Sequence, residues 1–158
     1  MTIEYRKGNL LDITAGIIVH GANAQGVMGS GVAKVVKEKY PECFAEYRRE
    51  YEQLGLHLGS IVWWTNDMDG RDNTPFQNML FIANGITQQE YGTDRRHVNY
   101  VAVADVFKEV IRQAKSTKLD VNFPKIGAGL GGGDWNIIEA IINDCDPLDK
   151  VRKICWEL

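Results

Sequence analysis

Cysteine is scarce in this sequence, and what there is does not pair. Cys43, Cys145 and Cys155 are odd in number and form neither a Cys-x-x-Cys nor a Cys/His spacing. That excludes a disulfide framework and a zinc-binding pattern, and reduced thiols are the expectation. Positive charge is lacking too: 18 Lys and Arg stand against 21 Asp and Glu, a net charge of −3. Such a chain has no broad basic face with which to neutralise a nucleic-acid backbone. A small anion is not excluded, because loop amides bind one without net positive charge. No apolar run approaches the roughly 20 residues of a membrane span, so no membrane partner is expected. The opening Met1-Thr2-Ile3-Glu4-Tyr5-Arg6 carries charge where a signal peptide would be apolar, and a soluble protein of the cytoplasm is expected. Repeats, low-complexity segments and linkers are absent as well. A single domain over residues 1–158 follows, with 44% hydrophobic residues to fill a normal core.

What is there alternates between strand and helix patterns. Residues 2–7, 16–20, 61–64, 79–83, 119–123 and 151–156 read as strands. Helices are expected over 32–39, ended by Pro41, and over 41–53, with Gly55 beyond its end. A third runs over 98–115, with apolar residues at 103, 106, 107, 110 and 111, and a fourth over 134–142. The polar stretch 66–77 reads as a surface loop. This order predicts an α/β fold with helices on both faces of a sheet. In such sheets ligands sit at the carboxyl ends of strands, here after Val19 and after Phe123.

Two glycine-rich loops occupy those places. The first, His20-Gly21-Ala22-Asn23-Ala24-Gln25-Gly26-Val27-Met28-Gly29-Ser30-Gly31, leaves a strand and opens a helix, whose free amides suit phosphate. It is neither a Walker A loop nor a well-placed dinucleotide fingerprint. The second, Ile126-Gly127-Ala128-Gly129-Leu130-Gly131-Gly132-Gly133-Asp134-Trp135, repeats the arrangement. Two such loops at one sheet edge can grip a diphosphate from opposite sides. Asp134 is placed either to cap the following helix or to act in catalysis. His20 is either a hydrogen-bonded core residue or an acid, base or nucleophile beside the phosphate loop. Asn23 is either a turn former or a group that orients a ribose hydroxyl or a water.

Taken in order and spacing, these pieces resemble the macrodomain family along essentially the whole chain. Lys7-Gly8-Asn9-Leu10-Leu11 resembles the family's opening Gly-Asp-Ile/Leu segment, and His20-Gly21-Ala22-Asn23 falls on its Asn-Ala-Ala-Asn signature. Gly29-Ser30-Gly31-Val32-Ala33 is similar to the Gly-Gly-Gly-Val/Ile-Ala run. Pro124-Lys125-Ile126-Gly127-Ala128-Gly129-Leu130 followed by Trp135 resembles the second loop, and Cys155-Trp156-Glu157-Leu158 the Val-Tyr-x-Leu ending of one branch. The resemblance implies a three-layer α/β/α fold with a mixed, mostly parallel sheet, no cofactor and no metal. Its implied ligand is an ADP-ribose derivative. Adenine would lie near Gly8, Asn9, Leu10 and Trp156, although Trp156 also suits an ordinary core position. The diphosphate would meet Ala22 and the amides of Val27, Met28, Gly29, Ser30, Gly31 and Val32, and of Ile126, Gly127, Ala128, Gly129 and Leu130.

Departures from the family pattern point to a branch. Asn9 stands where an aspartate reads the adenine amino group; its carbonyl can accept the same hydrogen bond. Asn9 together with His20 is similar to the fungal ADP-ribose-1″-phosphate phosphatase branch and to phage macrodomains, for which the host cytoplasm would be the compartment. That likeness implies phosphate removal, with His20, Asn23 and Asp134 as catalytic residues. A related branch removes ADP-ribose from modified protein or nucleic acid through a lysine and, in some members, an aspartate. Gln88 or Gln89 falls at that lysine here and Gly131 at that aspartate, and glutamine cannot form the covalent adduct a lysine can. A non-catalytic ADP-ribose reader is the third expectation. Residues 88–96 would cover the distal ribose, with Arg95 or Arg96 either meeting a terminal phosphate or lying solvated.

Overall fold

The computed structural model describes residues 3–157; Thr2 in the first expected strand and Leu158 in the terminal motif lie outside them. Six strands form one sheet: β1 (Ile3–Lys7), β2 (Gly16–Asn23), β3 (Ile61–Thr65), β4 (Leu80–Gln88), β5 (Val121–Phe123) and β6 (Lys153–Glu157). Their order is β1-β6-β5-β2-β4-β3. Every neighbouring pair is parallel except β3 with β4. The helices are α1 (Gly31–Lys39), α2 (Pro41–Gln53), α3 (Tyr100–Thr117) and α4 (Trp135–Asp144). The central strands are short apolar runs buried on both faces, as parallel strands under helices must be. Ile17, Val19, Ala83, Val121 and Phe123 meet the stripes of α3 and α4 on one side. Ile18, Ile82, Val36 of α1 and Cys43 of α2 pack on the other. The sheet is therefore the middle of three layers, mixed and mostly parallel as expected.

Helix boundaries follow local chemistry. Pro41 opens α2, where its missing N–H costs nothing. Asn99 caps α3 by accepting from the Ala102 amide, and Lys118 ends it in the left-handed conformation. The α3 stripe at Val103, Val106, Phe107, Val110 and Ile111 is fully buried. At the start of β6, Lys153 is 0% exposed, and its ammonium donates to Asp146, to Asp149 Oδ1 (3.2 Å) and to the Val151 carbonyl (2.7 Å). A buried lysine persists only with its donors spent in this way. The loop after β3 is tied by Asp67, whose carboxylate accepts from the amides of Asp72 and Thr74.

Two strands are longer than their patterns indicate. β2 continues through Gly21, Ala22 and Asn23, and β4 continues five residues past Ala83. Asn84 and Gly85 interrupt the apolar run, yet both are buried. Asn84 is satisfied by the His20 side chain and the Val62 backbone carbonyl, and Gly85 is needed because a Cβ there would come within 2.7 Å of Val106. These extensions carry the strand ends into the cleft described next.

Candidate ligand cleft

The carboxyl ends of β2, β4 and β5 and the loops after them enclose a cavity of about 450 Å³, within the usual range for small-molecule sites. Asn23, Ala22, Val27, Met28, Gly29, Ser30, Gly31 and Val32 line it from the first loop. From the second come Ile126, Gly127, Gly129 and Leu130. Sequence-expected residues of both loops are thus brought together. The loops also meet each other: a Cβ on Gly31 would contact Leu130 at 3.4 Å.

The α1 terminus is the electrostatic feature of this wall. Ser30 makes no side-chain cap, and the first helical bond runs from Lys34 N to Ser30 O. The amides of Gly31, Val32 and Ala33 therefore lack an acceptor among the described residues, and the helix dipole adds to their partial positive charge. Gly129 and Leu130 amides also donate to no acceptor among the described residues. Gly127 adopts φ +74°, and a Cβ there would reach 2.6 Å from Val98, so only glycine fits this turn.

Asn23 is held firmly. Its Nδ2 donates to the Val27 carbonyl (2.9 Å) and its Oδ1 accepts from the Gln25 amide (2.9 Å). The Tyr47 hydroxyl donates to its backbone carbonyl at 2.6 Å. One side-chain N–H remains for a ligand.

His20 is not brought to the cleft. Alternation along β2 turns it with Ile18 toward α1 and α2, where it is 0% exposed and forms no part of the cavity wall. Asn84 Nδ2 donates to the Val62 carbonyl at 2.9 Å, so Asn84 Oδ1 is the acceptor for His20 Nε2 at 2.6 Å. Cys43 Sγ lies 3.3 Å from the same amide nitrogen. Burial pushes the imidazole below its ordinary value, partly opposed by the Asn84 bond. In this structure the His20 imidazole takes the position of a hydrogen-bonded core residue, the first of the two expectations for it.

Asp134 stands at the start of α4. Its carboxylate accepts from the Asn136 amide at 2.9 Å as the cap of α4, and it does not line the cavity. At the β6 end, Gly8 packs against the Trp156 ring, 3.1 Å from where a Cβ would sit. Trp156 Nε1 donates to Asn122 (2.9 Å), and the Arg6 guanidinium lies 5.7 Å from its ring centre. Asn9 Oδ1 accepts from the Leu11 amide, which leaves it one further acceptor site, and Leu10 is core. Gly8, Asn9, Leu10 and Trp156 are neighbours outside the cavity wall, as is Ala128, whose amide closes a turn onto the Lys125 carbonyl. Arg95 pairs with Glu90 and Arg96 covers the Tyr100 ring, and neither lines the cleft.

Thr87 and Lys125 line the cleft without a signal in the sequence pattern, whereas Gln88, Tyr91, Gly92 and Thr93 come from the 88–96 segment expected over the distal ribose; Gln88 rather than Gln89 reaches the wall, beside Gly131 of the second loop. Lys125 is the one charged residue among the described lining residues, with Nζ 3.0 Å from Glu157 Oε2. That carboxylate raises its pKa. Thr87 and Gln88 belong to the unexpected extension of β4, which no apolar alternation announces.

Comparison with known proteins agrees with this architecture. An ADP-ribose 1″-phosphate phosphatase of Lodderomyces elongisporus is 28% identical over 163 residues, covering 94% of this chain and 96% of its own. A DNA ADP-ribosyl glycohydrolase of Mycobacterium tuberculosis is 29% identical over 138 residues, 87% of this chain but 36% of that protein. A solved structure of a protein of unknown function from Bacteroides thetaiotaomicron superposes with a TM-score of 0.84 at 28% identity, covering 100% of this chain and 99% of its own. The Macro domain family model matches residues 19–142, from the middle of β2 almost to the end of α4, and the chain belongs to that family.

Proposed function

We propose that this macrodomain binds ADP-ribose in the cleft and releases phosphate from ADP-ribose 1″-phosphate. The observation that carries the reading is the uncapped start of α1 facing the second glycine loop across a cavity of ligand size. Free amides from two directions are what a diphosphate needs where the surrounding net charge is negative. The reaction is that of the Lodderomyces relative's name. In this cleft the attacking group is water, since His20 has no surface there. The water oxygen bonds to phosphorus, the bond from phosphorus to the ribose O1″ breaks, and a water proton ends on that oxygen. Loop amides stabilise the phosphoryl charge, while the remaining Asn23 N–H orients the sugar.

Phosphate release from ADP-ribose 1″-phosphate, with ADP-ribose binding followed by calorimetry, tests this directly. Release that scales with enzyme and is inhibited by ADP-ribose is expected. Tight ADP-ribose binding without release would overturn the phosphatase assignment. ADP-ribosylated DNA and protein would then be the substrates to try, after the Mycobacterium relative's name. Any such hydrolysis would have to proceed without a lysine adduct at that position, because Gln88 lines the wall where the resemblance places that lysine.

A further inference from the structure

Thr87 ends the α3-facing side of β4 and is 2% exposed, yet it forms part of the cleft wall. Its backbone carbonyl accepts from the Asn99 amide, while its hydroxyl has no hydrogen-bond partner among the described residues. Buried hydroxyls are ordinarily satisfied, so an open one at a cavity wall marks a place where something else supplies the partner. The neighbouring backbone is cleared for it: a Cβ on Gly21 would come within 2.7 Å of Thr87 Oγ1. Beside it, Gln88 commits its side-chain N–H to the Glu90 carbonyl (2.7 Å), and its Oε1 lies 3.3 Å from where a Cβ on Gly131 would sit. Thr87 and Gln88 thus both line the cleft as neutral groups, with Asn23 on the adjacent strand β2. The cationic Lys125 follows β5, on the other side of β2. Neutral donors and acceptors match sugar hydroxyls, whereas the helix terminus and the lysine match phosphates.

We propose that Thr87 is a ligand-contacting residue that hydrogen-bonds the ribose beyond the diphosphate and so sets specificity for ADP-ribose over ADP. The inference rests on the ADP-ribose reading above. Binding of ADP-ribose and of ADP is measured by calorimetry for the wild type, Thr87→Val and Thr87→Ser, alongside thermal unfolding of each free protein. Because the hydroxyl has no partner among the described residues, the near-isosteric valine leaves the thermal midpoint unchanged or raised. The same variant weakens ADP-ribose about tenfold and ADP less than twofold, and serine restores ADP-ribose binding. Equal weakening of both ligands, or wild-type ADP-ribose affinity in Thr87→Val, overturns the proposal. A lowered midpoint with unchanged binding does the same, by making the residue purely structural. A wild type that binds neither ligand instead removes the ADP-ribose reading itself.

Discussion

His20 Nδ1 is the one solvent-sealed side-chain nitrogen or oxygen without a partner among the described residues. Its imidazole is neutral in the fold because burial penalises the charged form. The unfolded chain titrates near the ordinary 6.5, so protonation on acidification favours unfolding. The stability from neutral His20 is fully present above about pH 6.5 and is lost as pH falls toward the depressed folded value. Urea unfolding should therefore weaken below pH 6.5 by up to about 1.4 kcal/mol per pH unit from this group. His20→Gln should flatten that slope. If the slope is the same in both proteins, the buried imidazole is not what titrates. ADP-ribose affinity of His20→Gln should stay within about threefold of wild type, since the side chain has no surface on the cleft.

At the scale of elements, the cleft is made by how strands end and helices begin. The two helices at its edge start differently. Asp134 caps α4 with its own carboxylate, whereas α1 starts without a side-chain cap and leaves its amides for a ligand. Asp134→Ala should cost about 1 kcal/mol in chemical unfolding and leave phosphate release unchanged. Loss of release at unchanged stability would return Asp134 to catalysis. Gly127→Ala tests the second loop itself. Its positive φ and the 2.6 Å approach to Val98 predict a loss of about 2 kcal/mol or more, with weakened ADP-ribose binding. The unexpected length of β4 matters equally, because it carries Thr87 and Gln88 to the wall.

Across the whole molecule, a net charge of −3 opposes an anionic ligand, and the cleft answers with amides and a single lysine. Lys125 is exposed and shares its charge with Glu157 in the free protein. Binding a diphosphate gives it a second anion. Lys125→Gln should weaken ADP-ribose about fivefold at low salt and less at high salt, where screening already mutes the exposed charge. Glu157→Gln should act oppositely and tighten binding. Calorimetry at two ionic strengths checks both, and a salt response identical in wild type and Lys125→Gln would remove the lysine from the binding face.

The order of strands, helices and glycine loops was legible in the sequence because periodicity and glycine placement are local. The apolar runs at Ile17, Ile18 and Val19 and at Val121 and Phe123, the α3 stripe and the turns around Gly31 and Gly127 all appear as expected. The facing of individual polar side chains was not legible. His20 sits one residue after Val19 in an alternating strand, and only the placement of α1, α2 and Asn84 decides that its side is the closed one. Asn84 and Gly85 look like the end of a strand until partners on β2, β3 and α3 make them its interior. Thr87, Gln88 and Lys125 reach one cavity from strands two positions apart in the sheet, with β2 between them. The elements and the two loops follow from the order of residues, since those depend on neighbours along the chain. Which side chains face the cleft follows from packing, because burial and hydrogen-bond satisfaction are settled by residues far apart in sequence.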